Sequence, residues 1–148
     1  MGYTGKDERA FIMDATTGIG ALAGSRVWKG EVPDPEQIER LASGGVKPYI
    51  VVTFQMPFPS KSGRSLAGGE KKQPYVMPFM VVSYAGDPDS AEELDGAVRD
   101  KLLDAIPSPT AGPIAVQGGF TAPVKDTTSR PTRHAAGTWF DVLVNLGI

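Results

Sequence analysis

The spacing of apolar residues predicts two main helices. Between Asp7 and about Ala23 they recur every three or four positions, which is typical of one buried helix face. That face would consist of Phe11, Ala15, Ile19 and Leu22. The stronger prediction is a helix over Asp87–Ile106 that begins with a capping box. The box would be formed by Ser90 and Glu93, the buried stripe by Ala91, Leu94, Val98 and Leu102, and the solvated face by Glu92, Glu93, Asp95, Arg99, Asp100 and Lys101.

A third, short helix is predicted from the residues that would start and stop it. Asp34 is a suitable N-cap and Pro35 suits the first helical position, while Gln37 completes a pair resembling a capping box. Ile38 and Leu41 would form the inner face, and Gly44-Gly45 would end the helix.

Four segments rich in β-branched and aromatic residues are predicted as strands. They are Val27–Lys29, Tyr49–Met56, Tyr75–Tyr84 and Thr138–Leu146. The second and third are expected to pair as a long hairpin whose tip is Pro57–Pro74. Because proline cannot donate a hydrogen bond to a neighbouring strand, Pro78 predicts an edge or a bulge at that point.

The last strand alternates, and this alternation predicts which of its sides is buried. Phe140, Val142, Val144 and Leu146 form the more uniformly apolar side and should face the core. The order of elements predicts an α+β fold, in which a mostly antiparallel sheet carries two main helices on one face and a long hairpin arm. We expect residues 1–148 to form a single domain.

Composition is consistent with a soluble domain and excludes several classes of site. The chain has 148 residues, 41% of them hydrophobic, and a net charge of −2, whereas dedicated nucleic-acid binders usually carry a strong basic excess. Without cysteine there can be no disulfide and no thiolate metal site. Acids near the N-terminus argue against a signal peptide, and no apolar run is long enough for a membrane helix, so a soluble, cytoplasmically synthesised protein is expected.

Two segments invite a chemical interpretation that their surroundings do not support. Gly18–Ala23 fits a G-x-G-x-x-A pattern, but a dinucleotide site needs its glycines directly after a strand, and here a helix is expected to precede them. His134 is the only histidine, and Asp126 and Ser129 lie near it in sequence without a nucleophile-elbow motif. The histidine is therefore expected in a polar loop that leads into the last strand. The acid pairs Asp87/Asp89 and Glu92/Glu93 are explained by the helix N-terminus beside them.

Glycine and proline cluster in three segments that are expected to be loops: Pro57–Pro74, Pro107–Gly119 and Thr121–Pro131. The first also contains four basic residues and a single acid, Glu70. The basic residues, Lys61, Arg64, Lys71 and Lys72, are the candidate assembly-interface arm. The arm would contact neighbouring subunits, an acidic partner or passing DNA; the alternative is a solvated hairpin tip. No aromatic residue is interleaved with these charges, which argues against single-strand binding by base stacking.

The order of several segments resembles the tail-terminator and minor-tail proteins of long-tailed bacteriophages. These are Val27-Trp28-Lys29-Gly30-Glu31-Val32-Pro33, then Lys47-Pro48-Tyr49-Ile50-Val51-Val52, the helix from Ser90 to Leu103 and the closing strand Trp139–Leu146. Two departures from the family pattern are the more helical insert 34–45 and the length of the segment 57–74.

The resemblance implies a structural virion protein without catalytic residues, metal or cofactor. Such a subunit would form a ring, of six copies by analogy, at the head-proximal end of the tail tube and stop its polymerisation. Its partners would be further copies of itself, the tail-tube protein and the head-neck connector, with DNA only as passing cargo and no membrane. The alternatives are another neck, tail-completion or baseplate-side tail protein, or a small enzyme or ligand-binding domain that uses Gly18–Ala23 or His134.

Overall fold

A seven-stranded sheet forms the centre of the computed structural model, which describes residues 4–17, 19, 26–31, 33, 39–42, 44–60, 74–128 and 131–146. Its strands are β1 (Val27–Lys29), β2 (Tyr49–Phe54), β3 (Phe58–Pro59), β4 (Tyr75–Ala85), β5 (Ala115–Gly119), β6 (Val124–Asp126) and β7 (Arg133–Val144). The order across the sheet is β1-β2-β4-β7-β5, while β3 pairs with β4 and β6 pairs with β7. Only the β1–β2 pair is parallel among these pairings, so the predicted α+β fold with a mostly antiparallel sheet is confirmed.

β2 and β4 form the predicted hairpin. The irregularity at Pro78 lies in the segment that pairs with β4, not in β4 itself. Pairing runs from Tyr49 opposite Tyr84 to Phe54 opposite Phe79 and resumes at Phe58 opposite Val76. Residues 55–57 therefore face only 77 and 78, which is a β-bulge. The Gln55 N–H donates to the carbonyl oxygen of Pro78 (3.0 Å), so the proline nitrogen also points to this bulged side, where no donor is needed. A bulge is therefore present at Pro78, but its extra residue lies in the partner segment 55–57, while β4 itself is regular and lies inside the sheet, not at an edge.

β7 is longer than predicted and recruits two strands that the sequence does not predict. It begins at Arg133, five residues before the predicted start, and pairs with β4 from His134 to Val144. On its other side it pairs first with β6 and then with β5. Both strands come from segments expected to be loops, so that expectation is wrong for residues 115–119 and 124–126, while the rest of the described residues in these segments form loops and turns. All five residues of β5 are exposed, which shows that pairing rather than burial of side chains makes this segment a strand.

Both helices pack on the same face of the sheet. α1 (Lys6–Thr17) lies beside α2 (Pro88–Leu102), and α2 covers β4 and β7. One hydrophobic core joins Ile12 of α1 and Leu94 of α2 to the alternate residues Met77, Phe79 and Val81 of β4. From β7 it takes Phe140, Val142 and Val144, so the predicted burial is confirmed for these three residues. Leu146, predicted on the same side, lies beyond the end of β7 and is only half-buried.

The predicted boundaries and buried face of α1 need correction. The helix described by the structure ends at Thr17, and its fully or almost fully buried residues are Glu8, Ile12 and Thr16. Phe11, predicted on the inner face, is 37% exposed, whereas Ala15 and Ile19 of the predicted face are partly buried against the core. The face is turned by about one residue because Thr16 can be buried: its hydroxyl donates to the carbonyl oxygens of Ile12 and Met13. Leu22 and the glycines at 18 and 20 lie outside the described residues.

α2 has the predicted buried stripe but different ends. Asp87, not Ser90, is the N-cap: its carboxylate accepts the Ser90 N–H and the Ser90 hydroxyl, both at 2.8 Å. The helix stops at Leu102, four residues before the predicted end, and Asp104 then adopts a positive φ of 66°. Asp95, expected on the solvated face, is only 8% exposed because the Thr138 hydroxyl of β7 donates to it at 2.8 Å.

The described part of the segment 34–45 is not helical. Arg40 forms a β-bridge with Val46, and the Leu41 N–H donates to the Gly45 carbonyl at 2.7 Å. Leu41 is exposed and therefore does not form an inner helix face. Gly44 has a φ of 93°, which closes this turn at a value that glycine adopts without strain. Residues 34–38 and 43, with most of the predicted cap, lie outside the described residues.

Candidate functional site

The sheet face opposite the helices differs strongly between its two ends. Strand register places Tyr49, Tyr84 and Ala135 in one row across this face and Phe58, Val76 and Leu143 in another. We call the first region, with Trp28, Asp126 and Arg133, the closed end. The second region, with Pro78, Trp139 and Asp141, is the open end. Between them the Phe120 ring lies against Gly137, where an added Cβ would come within 3.2 Å of it.

Aromatic stacking and one arginine hold the closed end together. The rings of Tyr49 and Tyr84 stack with centroids 4.9 Å apart, and the Arg133 guanidinium lies over the Tyr84 ring at 5.1 Å. Arg133 donates to the Tyr49 hydroxyl at 2.7 Å and to the Asp126 carboxylate at 2.8 Å. Tyr49 is completely buried. These contacts connect β2, β4, β6 and β7, so the cluster is a structural tie.

The pKa values of the closed end reflect this pairing. Burial raises the pKa of Tyr49 to about 12, against the opposing effect of Arg133. Hydrogen bonds from Thr128 and Arg133 lower the pKa of Asp126 to about 2. Both residues are therefore held in one protonation state across the neutral range, which does not suit proton transfer there.

The open end is apolar and partly exposed to solvent. Phe58 is 48% exposed and Leu143 42%, while Val76 and Trp139 are half-buried. A shallow pocket of about 340 Å³ opens here. Its lining includes Phe58, Val76, Pro78, Gln117, Trp139 and Asp141. Apolar side chains at the open end therefore remain accessible on this face of the sheet.

Asp141 is the one charged residue among the described residues that line the pocket. Its Oδ2 accepts a hydrogen bond from the Gln117 side chain at 2.6 Å. Gln117 is available for this contact because β5 bulges between Val116 and Gly118, where its register with β7 shifts. Burial raises the pKa of Asp141 above its ordinary value of 3.8, although the bond from Gln117 acts in the opposite direction.

The predicted basic arm lies outside the described residues. Lys61, Arg64, Lys71 and Lys72 all fall within residues 61–73, which we call the basic segment. The two residues that flank this segment are described: the Ser60 N–H donates to the Pro74 carbonyl at 2.9 Å. Since Phe58 pairs with Val76 next to them, the basic segment starts and ends beside the open end.

The alternative sites from sequence are not assembled in the described residues. His134 lies in β7, paired with Ala85 and Lys125, and not in the expected loop. Its Nδ1 is buried without a hydrogen-bond partner in the described part of the chain. Asp126, which lies near His134 in sequence, has its two carboxylate oxygens bonded to Thr128 and Arg133. Ser129 and all of the glycine motif except Ile19 lie outside the described residues.

The described ranges contain no group of three or more His, Asp or Glu side chains placed to hold a metal ion. Among the helices in those ranges, none is long and apolar enough to cross a membrane.

Neither end of the helix-free face was predicted from the sequence. Arg133 and Tyr49 are 84 positions apart, and Asp141 and Gln117 are 24 apart, so neither contact leaves a local pattern. The available signal was the half-apolar second side of the last strand, which contains Trp139 and Leu143.

Comparison with known proteins does not assign the chain to a family. No family model matches it, and no curated protein is significantly similar to it.

Proposed function

We propose that this chain is a structural subunit of a bacteriophage tail that assembles into a ring at the head-proximal end of the tail tube. The observation that carries the proposal is the open end, an apolar and partly exposed sheet surface beside the basic segment. The order of sequence segments that resembles tail-terminator proteins supports it independently. The α+β fold agrees with the architecture that this resemblance implies.

The chemistry of the open end favours protein association. Trp139 and Phe58 are the kind of large, rigid side chains that dominate binding energy at protein interfaces. Leu143, which is 42% exposed and lies in the row of Phe58 and Val76, extends the apolar surface, while Gln117 and Asp141 add polar groups. Removing such apolar area from water stabilises a complex by roughly 25 cal/mol for each Å² buried.

The proposed mechanism is capping of the growing tube. A ring closes when one surface of each subunit contacts a different surface of the next, so that no copy is left with a free site. Subunits on the tube end would then offer the tail-tube protein no surface equivalent to the tube's own, and polymerisation would stop. The opposite side of the ring would bind the head-neck connector, and DNA would pass through the centre. This role needs no catalytic residue, metal or cofactor.

Two other functions are separated from this one by simple observations. Another neck, tail-completion or baseplate-side protein would use the same surface, and the tail end that the protein occupies distinguishes it. The pocket at the open end also favours a small-ligand function as a second candidate. A thermal-shift screen tests that candidate, because a ligand present at 100 times its Kd stabilises the fold by roughly 2.7 kcal/mol.

Electron microscopy of negatively stained protein tests the proposal. The purified protein is imaged at increasing concentration, alone and with tail tubes of the same virus. We expect rings of uniform diameter with a central hole, and binding at one end of each tube. Monomers in every condition, with tubes left uncapped, would contradict the proposal.

A further inference from the structure

Among the described residues, no lysine or arginine forms an ion pair with the half-buried carboxylate of Asp141. Its only hydrogen bond there comes from the neutral Gln117 side chain. At the closed end, by contrast, Asp126 is paired with Arg133 at 2.8 Å. Partial burial of an unpaired carboxylate costs free energy, which a bound cation would offset.

The walls of the pocket suit one chemical type of side chain. Phe58, Val76, Pro78 and Trp139 provide apolar and aromatic surface, and Asp141 provides a single negative charge. Lysine and arginine combine an apolar stem with a cationic end, and they bury the stem along apolar surface. A cation over the indole ring of Trp139 would gain a further cation–π contribution.

The sequence contains a concentrated source of such side chains. The basic segment, residues 61–73, contains four basic residues and one acid, and it starts and ends next to the open end. The proposed ring would bring this segment to the pocket of a neighbouring copy, and the charge exchange described below distinguishes that source from the segment of the same chain.

We propose that the pocket at the open end receives a lysine or arginine side chain from the basic segment of a neighbouring copy. The inference rests on the proposed ring and specifies the contact between its subunits. Because the pocket and the basic segment are different surfaces of one chain, the contact is heterologous and can repeat around a closed ring. The four basic residues provide the complementary charge for Asp141.

A peptide-binding experiment tests the contact without requiring a ring. The receiver is the full-length protein with Trp28→Phe, which leaves Trp139 as its only tryptophan, and with Lys61, Arg64, Lys71 and Lys72 replaced by Gln. The probe is a synthetic peptide of residues 60–74. We expect a saturable change in Trp139 fluorescence and at least tenfold weaker binding when the receiver also contains Asp141→Asn. Asp89→Asn, which neutralises an exposed carboxylate of α2, is the matched control and should leave binding unchanged.

Exchanging the charges tests whether the contact joins two copies. One variant contains Asp141→Lys, and the other contains Glu in place of Lys61, Arg64, Lys71 and Lys72. Each alone should fail to assemble in sedimentation velocity, whereas an equimolar mixture should form rings with alternating subunits, since each pocket then faces an opposite charge. Circular dichroism of both variants checks that they fold.

The outcomes separate this inference from the proposed function. Rings that persist in both single variants, or a mixture that does not assemble, would overturn the pocket contact and leave the ring itself standing. A wild type that never assembles but binds the peptide through Asp141 would remove the ring and support the pocket's preference for the basic segment. Peptide binding that is absent, or unaffected by Asp141→Asn, would overturn the inference.

Discussion

The two ends of the helix-free sheet face contain similar residue types, but they differ in how their polar groups are paired and in how far their apolar side chains are exposed. Each has aromatic side chains and one carboxylate. At the closed end, Asp126 is paired with Arg133, and the Tyr49 hydroxyl is bonded to the same arginine. At the open end, Asp141 has a neutral partner, and apolar side chains such as Phe58 remain partly exposed.

The difference indicates that the closed end stabilises the fold, whereas under the proposed function the open end is the surface for association. Buried polar groups that are fully paired fix a structure, whereas groups left partly unpaired beside apolar surface favour a further partner. The comparison therefore predicts that substitutions at the closed end reduce stability. Substitutions at the open end should instead change association.

The largest expected effect comes from removing the arginine of the closed end. Arg133→Met leaves the buried Tyr49 hydroxyl and the Asp126 carboxylate without their cationic partner, so we expect a loss of about 2–3 kcal/mol in the free energy of unfolding. Urea denaturation measures it. Lys125→Met, in the adjacent strand at an exposed position, is the control and should change stability by less than about 0.5 kcal/mol. Equal losses for the two variants would contradict the role of Arg133.

A smaller loss of stability is expected when Tyr49, which is hydrogen-bonded to Arg133, is replaced. Tyr49→Phe keeps the ring but removes the hydrogen bond to Arg133, for an expected loss of about 1 kcal/mol at pH 7. The raised pKa of Tyr49 adds a pH dependence. Its contribution to stability is complete below pH 10 and is lost as the pH rises toward 12, because the unfolded chain ionises first. Urea denaturation between pH 8 and 12 should show a shallower decline for the variant than for the wild type.

On acidification, the contributions of Asp126 and Asp141 to the free energy of unfolding should change in opposite directions. The lowered pKa of Asp126 means that its stabilising contribution is present above about pH 4 and is lost as the pH falls toward 2. The raised pKa of Asp141 means that the folded state binds this proton more tightly, so its contribution becomes more favourable on acidification. Subtracting the stability of Asp126→Asn or Asp141→Asn from that of the wild type isolates each contribution between pH 2 and 6. If both contributions rose, or both fell, as the pH is lowered, the contrast between the two ends would be contradicted.

The smallest effect on stability is expected at the open end. Asp141→Asn keeps a hydrogen-bonding side chain next to Gln117 and removes a charge that is unfavourable where it stands. At pH 7 we expect stability to be unchanged or higher by up to about 0.5 kcal/mol. Urea denaturation under the conditions used for Arg133→Met measures it, and a loss above 1 kcal/mol would show that the open end supports the fold.

The sequence predicted those parts of the fold that have a strong local pattern. β2, β4 and the stripe of α2 follow from apolar runs and helical spacing, and Pro78 correctly indicated a bulge. β5 and β6 were missed because they are short, exposed and rich in small or polar residues, and they become strands only by pairing with β7. The face of α1 was misassigned because Phe11 and Ile12 are both apolar, and spacing alone cannot rank them.

The candidate site could be predicted only in part. The basic segment is visible as a local excess of charge, but its surroundings depend on where β3 and β4 end. In the sequence, Asp141 is one of the polar residues that alternate with apolar ones along the last strand, and nothing in that pattern distinguishes it. Its half-buried setting depends on Trp139 beside it, on the β5 bulge that presents Gln117 and on the bulge opposite Pro78. Such contacts arise from tertiary packing and leave no mark at fixed sequence spacing.

Exposure of Trp139 during assembly tests most directly the claim that the open end is the assembly surface. Acrylamide quenching of the Trp28→Phe variant reports this residue alone, at low concentration and in isolated rings. Our account predicts that Trp139 is quenched readily in the monomer and much less in the ring. Rings in which Trp139 is quenched as strongly as in the monomer would contradict it.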